Sequence, residues 1–181
     1  MNIPNMLTIL RIILVPIYLC FFYSAKENHL LYAGIVFIMA GISDVLDGYI
    51  ARKYNLTTKI GAVLDPLADK LMTFAVLISF TTAQLIPAWV LLVIGVKEAL
   101  MIIGGFILYL LKEKKVLPSN KYGKIATVSF YTAFLSIVFK FPSPNVTKLL
   151  ILTTVILNIL AFINYLVIYL SKDSKNYIYL V

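Results

Sequence analysis

The sequence predicts an all-α polytopic membrane protein with six transmembrane helices, and three observations carry that expectation. Of 181 residues, 61% are hydrophobic and 13% charged, against about 25% charged in average soluble domains, and the mean hydropathy is +0.95. A bilayer core of ~30 Å takes about 20 apolar helical residues to cross, and six runs approach that length. Most Lys and Arg residues fall in the short connections between those runs.

The first run extends from Leu7 to Tyr23. Residues 1–7 mix Asn2 and Asn5 with Ile3 and Met6 and are expected to lie in the membrane interface. A secretory leader would need a basic start and a small-residue cleavage site; the run instead carries Arg11 inside it and no such site follows. Cys20, the sole cysteine, excludes an intramolecular disulfide and reads as an apolar structural thiol.

The second and third runs, Leu30 to Ile50 and Ile60 to Phe80, are joined by a short basic segment. The fourth, fifth and sixth are Ile86 to Leu111, Ile125 to Phe139 and Val146 to Leu170, with a C-terminal tail of about 171–181. Pro16, Pro66 and Pro87 mark kinks or helix starts, and the 12 Tyr and 11 Phe suit packing and interface belts. Without internal repeats, the chain reads as a single membrane-embedded domain over 1–181.

The net charge of +8 has no aromatic-interleaved basic face behind it, which argues against nucleic acid. Arg52, Lys53 and Lys59 follow the second run. Lys112, Lys114, Lys115, Lys121 and Lys124 follow the fourth, and Lys172 and Lys175 the sixth. Lys26, Lys140 and Lys148 belong to the other side. The positive-inside rule then puts both termini in the cytoplasm of a cell membrane, as an even number of spans requires.

Four of the eight acidic residues, Asp44, Asp47, Asp65 and Asp69, fall within 26 residues of apolar sequence. One Asp at the centre of a membrane helix costs about 2.5–3.5 kcal/mol on insertion scales, so four near one depth require a partner. Asp44 and Asp47 are three apart and Asp65 and Asp69 four apart, so each pair shares a helix face. The two runs are antiparallel, which lets the pairs face each other near the cytoplasmic end. Bare carboxylates so placed would repel; oxygen ligands suit Mg²⁺ or Mn²⁺, and no His or Cys stands nearby to favour zinc. Two ions are expected, an arrangement suited to in-line displacement at phosphorus. Gly48, Ala51 and Gly61 leave room for close approach. An ion-coupled carrier is the competing class, and Arg52, Lys59, Lys121 and Lys124 favour phosphate over a proton path.

Written out, the segment is Asp44-x2-Asp47-Gly48-x2-Ala51-Arg52-x8-Gly61-x3-Asp65-x3-Asp69, which resembles the motif of the CDP-alcohol phosphatidyltransferases. The resemblance implies a six-helix fold, a homodimer, and transfer of a phosphatidyl or phosphoalcohol group from a CDP-linked donor to an alcohol with release of CMP. It implies that Asp44, Asp47, Asp65 and Asp69 ligate metal and that Asp69 is also the general base. It assigns Asp44, Gly48, Arg52 and Thr58 to the CDP donor.

The opening residues Asn2, Asn5, Leu7, Thr8 and Arg11 resemble the start of the phosphatidylglycerophosphate synthases, a bacterial branch of that family, and put Asn5 and Thr8 beside the nucleotide; helix capping is the alternative for both. Ser119 to Thr127 resembles the same branch, departing from it at Ala126, and Lys97-Glu98 stands where Arg-Glu is usual. The implied substrates are CDP-diacylglycerol and sn-glycerol 3-phosphate. A phosphorylated acceptor needs its own anion site, for which Arg11, Lys59, Lys97, Lys121 and Lys124 are the candidates. Inositol phosphate or serine is the alternative acceptor. Lys112, Lys114 and Lys115 read as a solvated loop near anionic lipid.

Overall fold

The computed structural model describes residues 3–54, 61–110 and 121–170. Thr58, Lys59 and the loop and tail cations Lys112, Lys114, Lys115, Lys172 and Lys175 lie outside them. Six helices follow one another: α1 (Ile3–Phe22), α2 (His29–Lys53), α3 (Gly61–Thr82), α4 (Ala88–Leu110), α5 (Lys121–Phe139) and α6 (Pro144–Leu170). No strand occurs among the described residues. The apolar runs therefore locate all six helices, each within a few residues. Four of them, α1, α2, α5 and α6, are long and apolar enough throughout to cross a membrane; α3 carries Asp65, Asp69 and Lys70, and α4 carries Lys97 and Glu98.

Helix α1 starts earlier than its hydrophobic run, so residues 3–7 form its first turns. Pro4 stands where a helix tolerates proline, since the first amides have no intrahelical acceptor. Pro16 lies inside α1, whereas Pro87 comes immediately before α4. Cys20 is exposed on the outer side of α1, not packed inside as an apolar thiol.

The chain forms two compact units, residues 1–86 and 87–181. In the first, α1 packs along both α2 and α3, while α2 and α3 touch each other little. The reason lies in helical spacing. On α1, Thr8, Arg11, Leu14, Tyr18 and Phe22 recur every three or four residues and are all buried. The buried stripe of α2 runs Ala33, Val36, Phe37, Ala40, Ser43 and Asp47, and that of α3 runs Ala68, Met72, Val76, Ser79 and Phe80. Small residues within these stripes permit the close backbone approach that membrane helices use where lipid offers no hydrophobic drive to associate.

At one end the stripes are aromatic and weakly polar. Tyr18 Oη and Ser79 Oγ are 2.8 Å apart, Tyr23 Oη and Thr82 Oγ1 are also 2.8 Å apart, and Phe22 stacks at a tilt on Phe80 with centroids 5.7 Å apart. At the other end they turn ionic.

In the second unit, α6 packs against both α5 and α4. Ser136 and Thr147 share a hydrogen bond of 2.6 Å, and the Thr154 hydroxyl lies 3.0 Å from the Ser129 carbonyl of α5. The outward faces of both units carry many exposed large apolar residues, such as Ile13, Ile35, Leu92 and Val128, as a lipid-facing surface requires.

Candidate active site

The ionic end of the first unit gathers the N-terminal turns of α1, the last turns of α2 and the first turns of α3. Asp47 sits there because it continues the buried stripe of α2, seven residues beyond Ala40. Asp44, one turn earlier on the same face, is half open: its side chain is 48% exposed against 5% for Asp47. Asp65 and Asp69 flank buried Ala68 on the corresponding part of α3.

Arg11 ties both carboxylates of α2 to α1. Its guanidinium is 2% exposed; Nη1 lies 2.7 Å from Asp44 Oδ1, and Nη2 donates to Asp47 Oδ2. One turn earlier on α1, the Thr8 hydroxyl lies 2.5 Å from Asp65 Oδ1 and 3.1 Å from the Pro4 carbonyl. Asp69 Oδ2 is 3.0 Å from Lys70 Nζ, with both side chains partly exposed. Asp44 also feels the negative charges of Asp69 and Asp65, so both carboxylate pairs act on one locality.

The sequence spacing correctly puts each pair on one helix face, but it does not reveal that α1 supplies polar side chains to both. Among the described residues, no group of three or more His, Cys, Asp or Glu is arranged to enclose a metal ion. Among the described residues, Arg11 and Lys70 are the cations paired with these carboxylates. Four aspartates against these two cations leave two negative charges uncompensated within this set, and the donors are all oxygen. That chemistry fits a hard divalent ion.

The remaining candidates are distributed along both units. Asn5 is partly buried on the first turn of α1, and Gly48 is partly buried one residue beyond Asp47. Arg52 occupies the last turn of α2; its side chain and the whole of Thr58 and Lys59 fall outside the description. In the second unit, Lys97 is largely enclosed, with Nζ 2.7 Å from Glu98 Oε1 and 3.3 Å from Asn158 Oδ1. Lys121 and Lys124 are exposed on the first turn of α5. Of the partners in these contacts, Lys70 and Asn158 are not singled out in the sequence and Glu98 enters only beside Lys97; being polar in apolar surroundings is the signal that finds all three.

Comparison with known proteins shows which family the sequence matches. The family model described as CDP-alcohol phosphatidyltransferase matches residues 1–167. The chain is 39% identical over 140 residues to the CDP-diacylglycerol–glycerol-3-phosphate 3-phosphatidyltransferase of Aquifex aeolicus, covering 76% of this chain and 75% of that protein. It is 38% identical to a protein of the same name from Bacillus subtilis, with 70% of each covered. A third of that name, from Rickettsia bellii, is 33% identical over 177 residues and 97% of both lengths.

Proposed function

The chain belongs to the CDP-alcohol phosphatidyltransferase family, and we propose that it transfers the phosphatidyl group of CDP-diacylglycerol to sn-glycerol 3-phosphate, releasing CMP. The observation that carries this is the convergence of Asp44, Asp47 and Asp65 on polar side chains of a single helix, within a chain that the family model matches over residues 1–167. The relatives' names support the two substrates.

Divalent metal serves this family, and Asp44, Asp47, Asp65 and Asp69 are the residues that would hold Mg²⁺ or Mn²⁺, two ions by our reading. Such ions supply charge stabilisation to the phosphoryl oxygens during in-line displacement. Asp69 is the base by the family resemblance, and its carboxylate, partly exposed beside Lys70, is able to approach an acceptor hydroxyl. Asp69 takes the hydroxyl proton as the acceptor oxygen bonds to the phosphatidyl phosphorus and the bridging P–O bond to CMP breaks. Asn5, Thr8, Asp44, Gly48, Arg52 and Thr58 are assigned to the donor. Lys59, Lys97, Lys121 and Lys124 are the cations proposed for the acceptor's phosphate. Arg11, also a candidate there by its charge, is engaged by two aspartates.

We further propose a homodimer, as the family resemblance implies, with both termini and the active site on the cytoplasmic side; the distribution of loop cations supports the sidedness. The deciding experiment incubates purified protein in detergent with CDP-diacylglycerol and Mg²⁺, and measures CMP with sn-glycerol 3-phosphate, inositol phosphate or serine as acceptor. Release with sn-glycerol 3-phosphate alone is expected and should stop on chelation with EDTA. Release only with another acceptor would reassign the substrate, and no release with any would overturn the activity.

A further inference from the structure

We propose that Arg11 is a built-in counter-cation of the carboxylate site, a positioning residue whose guanidinium a divalent ion must displace from Asp44 and Asp47. The inference rests on the metal-site reading above and separates Arg11 from the cations assigned to the acceptor.

The geometry begins with burial. Arg11 is among the largest fully enclosed side chains of the chain, and an intramembrane arginine is stable there only beside negative charge. Each terminal nitrogen is turned to a different carboxylate, one 48% exposed and one 5% exposed. Asp44 and Asp47 lie on the same face of α2, so without a cation between them they would repel.

The hold is incomplete. A guanidinium carries five N–H donors in a planar fork, yet among the described residues buried Nε has no hydrogen-bond partner, and Nη1 meets Asp44 as an ion pair without hydrogen-bond alignment. Arg11 is thus gripped firmly through Nη2 and loosely elsewhere. A side chain evolved only to brace α1 against α2 would be expected to satisfy the fork, since an unmet buried donor is costly.

A divalent ion would compete for the same oxygens. Carrying twice the charge and favouring carboxylate donors, it would make the nearby guanidinium a like-charged neighbour and drive it from the pair. The apparent affinity for metal would therefore include the loss of the Arg11 contacts, as for any ligand whose competent state is only part of the population. In this role Arg11 keeps the aspartates paired and correctly placed until metal arrives.

The test measures Mn²⁺ binding to purified full-length protein in detergent without substrates, by the electron paramagnetic resonance signal of free Mn²⁺, together with melting temperature with and without Mn²⁺. Arg11→Gln removes the competing charge, so it should half-saturate at a Mn²⁺ concentration lower by about fivefold or more, the low end of typical coupling between ligands. It should melt below wild type without Mn²⁺ and gain more from saturating Mn²⁺. Arg11→Lys keeps the charge but cannot span two carboxylates, and should bind with intermediate affinity. If Arg11→Gln cannot be purified folded, Arg11→Lys decides alone: tighter binding supports the displacement, equal or weaker binding overturns it. Wild-type Mn²⁺ binding that neither variant tightens removes the displacement and leaves the metal site standing. Absence of Mn²⁺ binding in wild type and both variants removes the metal site, and the displacement with it.

Discussion

Thr8 shows how a single hydroxyl can act on chemistry it does not perform. It contributes one proton to Asp65 while contacting the Pro4 carbonyl behind it, so it fixes the carboxylate against α1. Thr8→Val keeps the shape and removes the hydrogen bond; partners that orient metal ligands typically cost 10–100-fold when lost, and turnover should fall by about tenfold in that range. CMP release at saturating Mg²⁺ checks this, and an unchanged rate would mean that Asp65 needs no orienting. Asp69→Asn keeps size and loses basicity. It should lose turnover by about 10²-fold or more, in line with general-base contributions, while CDP-diacylglycerol binding largely survives. Full turnover in that variant would take the base role from Asp69. Residue by residue, the four aspartates were legible because acids in apolar sequence are expensive and helical spacing assigns their faces. What hydropathy could not disclose is that Arg11 and Thr8, on a helix far away in sequence, turn toward them. Arg11 read as a free cation for phosphate because a sequence shows charge without its neighbour.

Among the elements, the helices themselves were legible, since apolar runs of membrane length leave the backbone few alternatives. Their ends were less so: α1 starts at Ile3 because polar Asn5 and Thr8 are accommodated within helix, a choice made by tertiary partners and not by hydropathy. Which helix sits beside which was also hidden, and the pairing of α1 with both α2 and α3 rests on small and polar residues that hydropathy treats as interruptions. Glycines expose the same dependence on partners. A Cβ on Gly123 of α5 would stand 3.2 Å from Tyr165 Oη of α6, whereas one on Gly104 of α4 would meet nothing within 4 Å. Gly123→Val should overpack the α5–α6 contact and destabilise by about 1–3 kcal/mol. Gly104→Ala should be neutral or stabilise by up to about 1 kcal/mol through helix propensity. Thermal melts of both variants in one detergent provide the comparison, and equal effects at the two positions would refute the packing argument.

For the molecule as a whole, the proposed orientation rests on charge on the connections. The segments joining α1 to α2 and α5 to α6 carry few cations, while α2 ends in Arg52 and Lys53 and α5 begins with Lys121 and Lys124. Translocation disfavours cations near helix ends, which is the support for the proposed cytoplasmic placement of the richer side. Because Cys20 is the only cysteine, Cys20→Ser gives a thiol-free background in which single cysteines report sidedness. In right-side-out vesicles, Ser24→Cys and Ser143→Cys should react with a membrane-impermeant maleimide, and Lys53→Cys should react only after the vesicles are opened. The inverse pattern would turn the molecule over. Asp44 and Asp47 lie within the last three turns of α2, on the Lys53 side, so that inversion would also put the carboxylates on the face opposite a cytoplasmic CDP-linked donor. Labelling thus tests the site's access to its substrate together with the topology.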